Sequence, residues 1–306
     1  NGVWSFALND LSTLSFNAKT SIWLAAGFLL AFAIKIPLVG FHTWMAPAYG
    51  SAPTPAVVIM SAIMAKLGIY GIWRFGFTLF DTTLSYYAPT IIVLALIGLL
   101  YYAVRAITEE NLRKMFAYSS GSHLSLIALG LFLNNIYAWS GSLYFVATHA
   151  LASAGIFIMI GLTYKRFKTV TITELGGIAS HAPKFAFFFA FFALSIAGLP
   201  GTGGFVGELL IIIGAFKANF WVGVFTATTM LSAMIYIFWM LQRTLFGSAQ
   251  NICEYNDLSA REVMMLLPLV VLLLLTGLAP SLFTPIFEPG LMTSLETVLA
   301  HIGALK

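Results

Sequence analysis

The sequence predicts an all-α integral membrane protein with about eight transmembrane helices, some of them discontinuous. Three observations carry that prediction. First, 60% of the 306 residues are hydrophobic and only 8% are charged, against roughly 25% charged in a soluble domain, and the mean hydropathy is +0.93. Second, apolar runs of the roughly 20 residues that a bilayer requires alternate with short polar turns along the whole chain. Third, one such run, Phe185 to Phe216, carries Pro200, several glycines and Glu208 in its interior. A spanning helix broken and acidified at depth is costly in lipid and is tolerated where the break is buried in protein or lines a wet cavity. The formal net charge of +4 is scattered between the runs, which gives no nucleic-acid footprint. Cys253 is the single cysteine, so the chain holds neither a disulfide framework nor a cysteine-ligated iron–sulfur cluster of its own.

In chain order, residues 1–20 read as a polar loop with a short amphipathic piece. The first span, Ser21 to about Trp44, is interrupted by Lys35 and Pro37, and Met45–Pro53 reads as a turn. The second span, Thr54 to about Phe77, starts with Pro55 in its first turn, where proline is tolerated, and contains Lys66. Asp81 is expected in a loop, followed by a third span from Tyr86 to about Ala106. The charged turn Thr108–Lys114 offers Thr108 or Asn111 as a cap. The fourth span runs to about Leu133 and holds His123; Asn134 and Asn135 turn the chain into the fifth, about Ala138–Tyr164, with His149. Lys165–Pro183 is the longest middle loop. The broken run is the sixth span, and the seventh and eighth cover about Trp221–Leu245 and Val263–Leu282. Apolar residues at helical spacing in the C-terminal tail suggest a helix lying along the membrane surface.

Alternate loops of an eight-span chain share a side. One side collects Arg105, Arg113, Lys114, Lys165, Arg166, Lys168, Lys184, Arg243 and Arg261; the other has only Lys19, Arg74, Lys217 and Lys306. The positive-inside rule makes the first side cytoplasmic or its organellar equivalent.

Five ionisable residues fall away from the expected span ends: Lys35, Lys66, His123, His149 and Glu208. A charged residue at a helix centre costs roughly 2.5–3.5 kcal/mol on insertion scales. Lys35 and Lys66 lie about 20 and 18 Å into their runs at 1.5 Å per residue. Lysine protonation responds readily to burial, histidine titrates near neutrality, and a carboxyl either carries a proton or pairs with a lysine. Together the five suggest a hydrophilic axis. Each also has a plainer reading. Lys35 could pair with a carboxylate on another helix, and Lys66 could bond carbonyls at a kink. The histidines could be interhelical hydrogen-bonders, or ligands of one haem. No His/Asp/Glu cluster has metal-site spacing, and the glycines at 201, 203 and 204 lie inside a span rather than in a phosphate loop.

Four stretches carry a family resemblance. They are Lys35-Ile36-Pro37 with Phe41-His42-Thr43-Trp44 and Lys66-Leu67-Gly68; Asn111-Leu112-Arg113-Lys114 through Ser122-His123; Thr148-His149-Ala150 with Ala154-Gly155; and Leu199-Pro200-Gly201-Thr202-Gly203-Gly204 through Glu208. The chain resembles the antiporter-like subunits of respiratory complex I, NADH–quinone oxidoreductase, over nearly its whole length. The acid at Glu208 resembles the subunit 4, or chain M, type, where similar subunits and cation/proton antiporters carry lysine.

The resemblance implies an inverted-repeat, antiporter-like fold with two broken helices. Residues 21–77 would be the remainder of a first repeat, 86–245 a second repeat, and 246–306 a loop, the last span and the tail. It implies a proton relay of Lys35, Lys66, His123, His149 and Glu208, in which Lys35 pairs with a glutamate on an earlier helix. It implies no cofactor in this chain; NAD, FMN, iron–sulfur clusters and quinone belong to partner subunits. The partners are other membrane subunits, including neighbouring antiporter-like ones, and the location is an energy-transducing membrane. The family has more spans than this chain, so a fragment or half of a split subunit is expected. A cation/proton antiporter subunit, a membrane-bound hydrogenase subunit and a static membrane spacer are the alternatives. Where the family typically reads Leu-Pro-Asp-Ala-His after Trp44, this chain reads Met45-Ala46-Pro47-Ala48-Tyr49.

Overall fold

The structure, a computed structural model, describes residues 4–14, 16–248, 256–287, 289–292 and 295–296. Cys253 and the end of the C-terminal tail lie outside the described residues. Among the described residues, seven helices are long and apolar enough to cross a bilayer. These are α1 (Ala18–Lys35), α3 (Thr54–Phe80), α4 (Thr82–Thr108), α5 (Leu112–Phe132), α6 (Ile136–Phe167), α9 (Phe220–Thr244) and α10 (Ala260–Leu278). The eighth crossing is the predicted broken one, a pair of shorter helices, α7 (Pro183–Ile196) and α8 (Gly203–Ala218). A short helix α2 (Met45–Ser51) completes the set used below.

Polar side chains cap several of the helix starts. Asn111 accepts from the backbone N–H groups of Arg113 and Lys114, so it rather than Thr108 starts α5. Asn135 caps α6, and Asn219 caps α9. Ser259 and Glu262 form a reciprocal capping box on α10. Each satisfies donors that a helix start leaves unpaired.

Two connections differ from expectation. The expected turn at 45–53 is largely helical, because Pro47 falls in the first turn of α2, where its missing N–H costs no intrahelical bond. The expected loop at Asp81 is a kink instead: helical bonding continues from Phe77 to Thr108 through Phe80 (φ −140°, ψ 32°).

The loops of the basic side gather at one end of the bundle. Arg113 donates to the Ala52 carbonyl at 2.9 Å and stacks on Tyr164. The backbone of Glu110–Leu112 pairs with Val170–Ile172. Arg166 donates to Glu262 at 2.7 Å, and the Asp257 carboxylate accepts the N–H groups of Lys184, Phe185 and Leu258. Within the bundle α5 is the enclosed helix, with 94% of its apolar window buried against 17% for α1. Gly141 and Gly214 let α8 approach α6 closely, since a Cβ at either would meet backbone atoms of the other helix within 3 Å.

Candidate functional site

Lys66 sits in the middle of α3, 5% exposed. The helix is not regular there. Two π-helical turns, Met60–Met64 and Ile72–Gly76, flank the short α-helical segment that holds Lys66. A π-turn releases carbonyls from the normal ladder and recurs at functional positions. Lys66 Nζ takes up one of them, donating to the Ser61 carbonyl, and lies 3.5 Å from Ser153 Oγ of α6.

His123 and His149 meet between α5 and α6. Their ring centroids are 5.2 Å apart at an interplanar angle of 60°, and Phe145 packs edge-on against both at 5.5 and 5.7 Å. Both histidines are buried, and neither ring nitrogen of either has a hydrogen-bond partner among the described residues. Both lie within electrostatic range of Lys66. The rings touch one another directly, with no plane between them for a macrocycle, which disfavours the two-histidine haem reading.

Glu208 follows the second break. Helix α7 ends at Ile196, and Gly198 (φ +82°) and Gly201 (φ +92°) turn the chain through a backbone region open to glycine. Thr202 closes the turn, its N–H and hydroxyl both donating to the Leu199 carbonyl. Glu208 then lies in the second turn of α8, fully buried, with both carboxyl oxygens unpartnered among the described residues. Its Oε2 lies 2.8 Å from the point where a Cβ on Gly198 would stand. The break and the acid are therefore one unit: the glycine makes room for the carboxyl. One residue earlier, Gly207 packs against Phe145, the ring that contacts both histidines.

Lys35 lies at the break of the first span, next to Ile36, which packs against Gly68 in the middle of α3. Lys35 is the last residue of α1 and is exposed on the surface of the chain. Its run ends there because Pro37 cannot donate to continue the ladder. The chain then loops through residues 36–44, with Trp44 Nε1 donating to the Ile34 carbonyl at 3.1 Å and the Tyr102 hydroxyl donating to the Pro37 carbonyl. Thus Lys66, His123 and His149 form one cluster, Glu208 sits beyond Phe145, and Lys35 stands apart at the surface.

Three participants escaped the sequence reading: Ser61, Ser153 and Phe145. Two of them carried a usable signal. Phe145, His149 and Ser153 follow at intervals of four, which places them on one face of α6. The π-turn that exposes the Ser61 carbonyl has no comparable mark.

A membrane bundle with two broken crossings and enclosed, partly unpartnered lysine, histidine and glutamate side chains defines the antiporter-like class of ion-translocating folds. The transmembrane family of NADH:quinone oxidoreductase and Mrp antiporter subunits matches residues 2–232, and the chain belongs to that family. It is 34% identical over 296 residues to NADH-ubiquinone oxidoreductase chain 4 of Marchantia polymorpha, covering 96% of this chain and 59% of that protein. It is 34% identical over 282 residues to NADH-quinone oxidoreductase subunit M of Escherichia coli strain K12, covering 91% and 55%. A chain in the structure of respiratory complex I from Thermus thermophilus with bound NADH is similar at a TM-score of 0.89 and 29% identity, over 97% of this chain and 62% of that one. The Mrp complex from Dietzia sp. DQ12-45-1b shares the fold at a TM-score of 0.82 and 21% identity, over 97% and 65%. The chain thus spans less than two thirds of the length of each.

Proposed function

We propose that this chain is a proton-translocating, non-redox membrane subunit of an NADH–quinone oxidoreductase, working in an energy-transducing membrane beside neighbouring antiporter-like subunits. NAD, FMN, iron–sulfur clusters and quinone act in other subunits of that complex. The observation that carries the reading is the enclosed series Lys66, His123–His149 and Glu208, in which the imidazoles and the carboxyl have no fixed partner among the described residues. Static ion pairs satisfy buried charges with mutual hydrogen bonds. Groups left unpartnered are instead able to accept and release protons as a neighbouring charge changes. Lys35 enters the relay from the surface end, where the family resemblance implies a carboxylate from an earlier helix.

The assembled complex in sealed vesicles provides the test. Replacing Lys66 by Ala, or Glu208 by Gln, is expected to lower proton pumping by about 10²-fold, the scale of a lost positioned proton-transfer group. Electron transfer and pumping that both survive intact would overturn the reading. Glu208, where related antiporters carry lysine, favours this reading over a cation/proton antiporter; transport that depends on sodium rather than pH would reverse that preference.

A further inference from the structure

A hydroxyl pair between α5 and α9 lies outside the series just described. The Tyr236 and Ser119 hydroxyls are 2.8 Å apart, and both residues are buried. On the inner side, Ser119 precedes His123 by four residues, so the two share a face of α5. The nitrogens of His123 have no competing partner among the described residues. The Glu208 carboxyl lies within electrostatic range of the Tyr236 hydroxyl. On the outer side, Tyr236 lines a cavity with about 20 Å³ of room for water, above the roughly 10–15 Å³ that one water requires. Met115 and Trp239 form its walls, and Glu109 and Arg243 stand among its lining residues at the basic end of the bundle. Arg243 is held there by stacking on Trp239 at 4.1 Å.

Packing alone does not account for this arrangement. Phenylalanine and alanine would fill similar space without placing two hydroxyls in an apolar interface, where polar groups are costly unless they bond. The pair instead joins a water-sized cavity at the basic face to the titratable cluster inside.

We propose that Tyr236 and Ser119 form the proton access route from the basic face to the His123–Glu208 end of the relay. The proposal rests on the proton-relay reading above. In one transfer the Ser119 O–H bond breaks as its proton passes to a nitrogen of His123. The Tyr236 proton moves to the Ser119 oxygen. The Tyr236 oxygen takes a proton from the cavity water, and a proton entering from the aqueous face replaces the one that water gave up, so no hydroxide is left behind. Each O–H bond that breaks at the pair is matched by one that forms, the imidazole gains one N–H, and no electron changes hands. Rotation of the two hydroxyls then resets the pair. Tyr236 and Ser119 are therefore further proton-transfer residues for the proposed reaction.

The test uses the complete complex in sealed vesicles, with Tyr236→Phe, Ser119→Ala, Ser119→Thr and Glu208→Gln compared at matched amounts of assembled complex. Tyr236→Phe and Ser119→Ala are expected to slow pumping about tenfold, the effect of removing one positioned hydroxyl. Both are expected to raise the solvent deuterium isotope effect on turnover, because proton entry becomes limiting. Ser119→Thr, which keeps the hydroxyl, restores both quantities. A structural role would not move the isotope effect. If Tyr236→Phe fails to assemble, Ser119→Ala, which removes a single oxygen, decides alone. Parental rate and isotope effect in the hydroxyl-deleted variants, with Glu208→Gln impaired, overturn the access route while leaving the relay standing. Parental pumping in Glu208→Gln overturns the relay and the access route together.

Discussion

The chain breaks an apolar crossing twice, and the two breaks treat their charges in opposite ways. At residues 36–44 the helix stops at Lys35 and leaves the ammonium exposed. At residues 197–202 the chain turns through Gly198 and Gly201, resumes as α8, and buries Glu208 completely. Pro37 and Pro200 mark both breaks equally well in sequence. What separates them is cover. Helix α8 lies against α6 so closely that backbone meets glycine, whereas α1 presents most of its surface outward. A helix breaker fixes where a crossing is interrupted; the neighbouring helices decide whether the charge beside it is enclosed.

This comparison yields graded expectations for thermal stability in the purified complex. The largest effect is expected at the glycines. Gly198→Ala would force a side chain into a left-handed conformation, at about 1–2 kcal/mol, and would set its Cβ 2.8 Å from Glu208 Oε2. Gly40→Ala incurs only the conformational cost, since Gly40 (φ +99°) has no atom within 4 Å of an added Cβ among the described residues. The first is therefore expected to lower the melting temperature clearly more than the second; equal effects would erase the distinction between the breaks.

The next effect has the opposite sign. Glu208→Leu removes an unpartnered buried carboxyl, so stability is expected to rise, by about 1–3 kcal/mol, while pumping is lost. A drop in stability would make Glu208 a structural residue.

The smallest effect lies outside the membrane. Burial pushes the Asp257 carboxyl up, but the N–H groups of Leu258, Phe185 and Lys184 and the Lys184 charge outweigh it and hold the group below the usual aspartate range. Its contribution is complete above about pH 3.9, the unfolded value, and is lost as pH falls through the lower folded value. Acid should therefore loosen the 256–259 connection, measured as faster protease cleavage near Arg261. Asp257→Asn should flatten that acid dependence.

Much of the bundle was legible because its signals are local. Apolar runs gave the crossings, and Asn111, one of two candidate caps, marked the start of α5 through a chemistry visible in one residue. Glu208 was legible because an acid next to Pro and Gly in an apolar run has few bland explanations. The kink at Phe80 and helix α2 were not, since they depend on packing rather than on a breaker. The exposure of Lys35 on this chain was not legible either, because it depends on which helices cover α1. Phe145, Ser153 and Tyr236 became meaningful only once the helices were set side by side.

The central claim is that Glu208 gains and loses a proton during turnover. Infrared difference spectroscopy on the working complex tests it directly, comparing the parent with Glu208→Gln. A carboxylic-acid C=O band that appears on turnover, shifts in deuterated water and vanishes in Glu208→Gln is the expected result. A turnover spectrum in which the carboxyl region is unchanged by Glu208→Gln would contradict it.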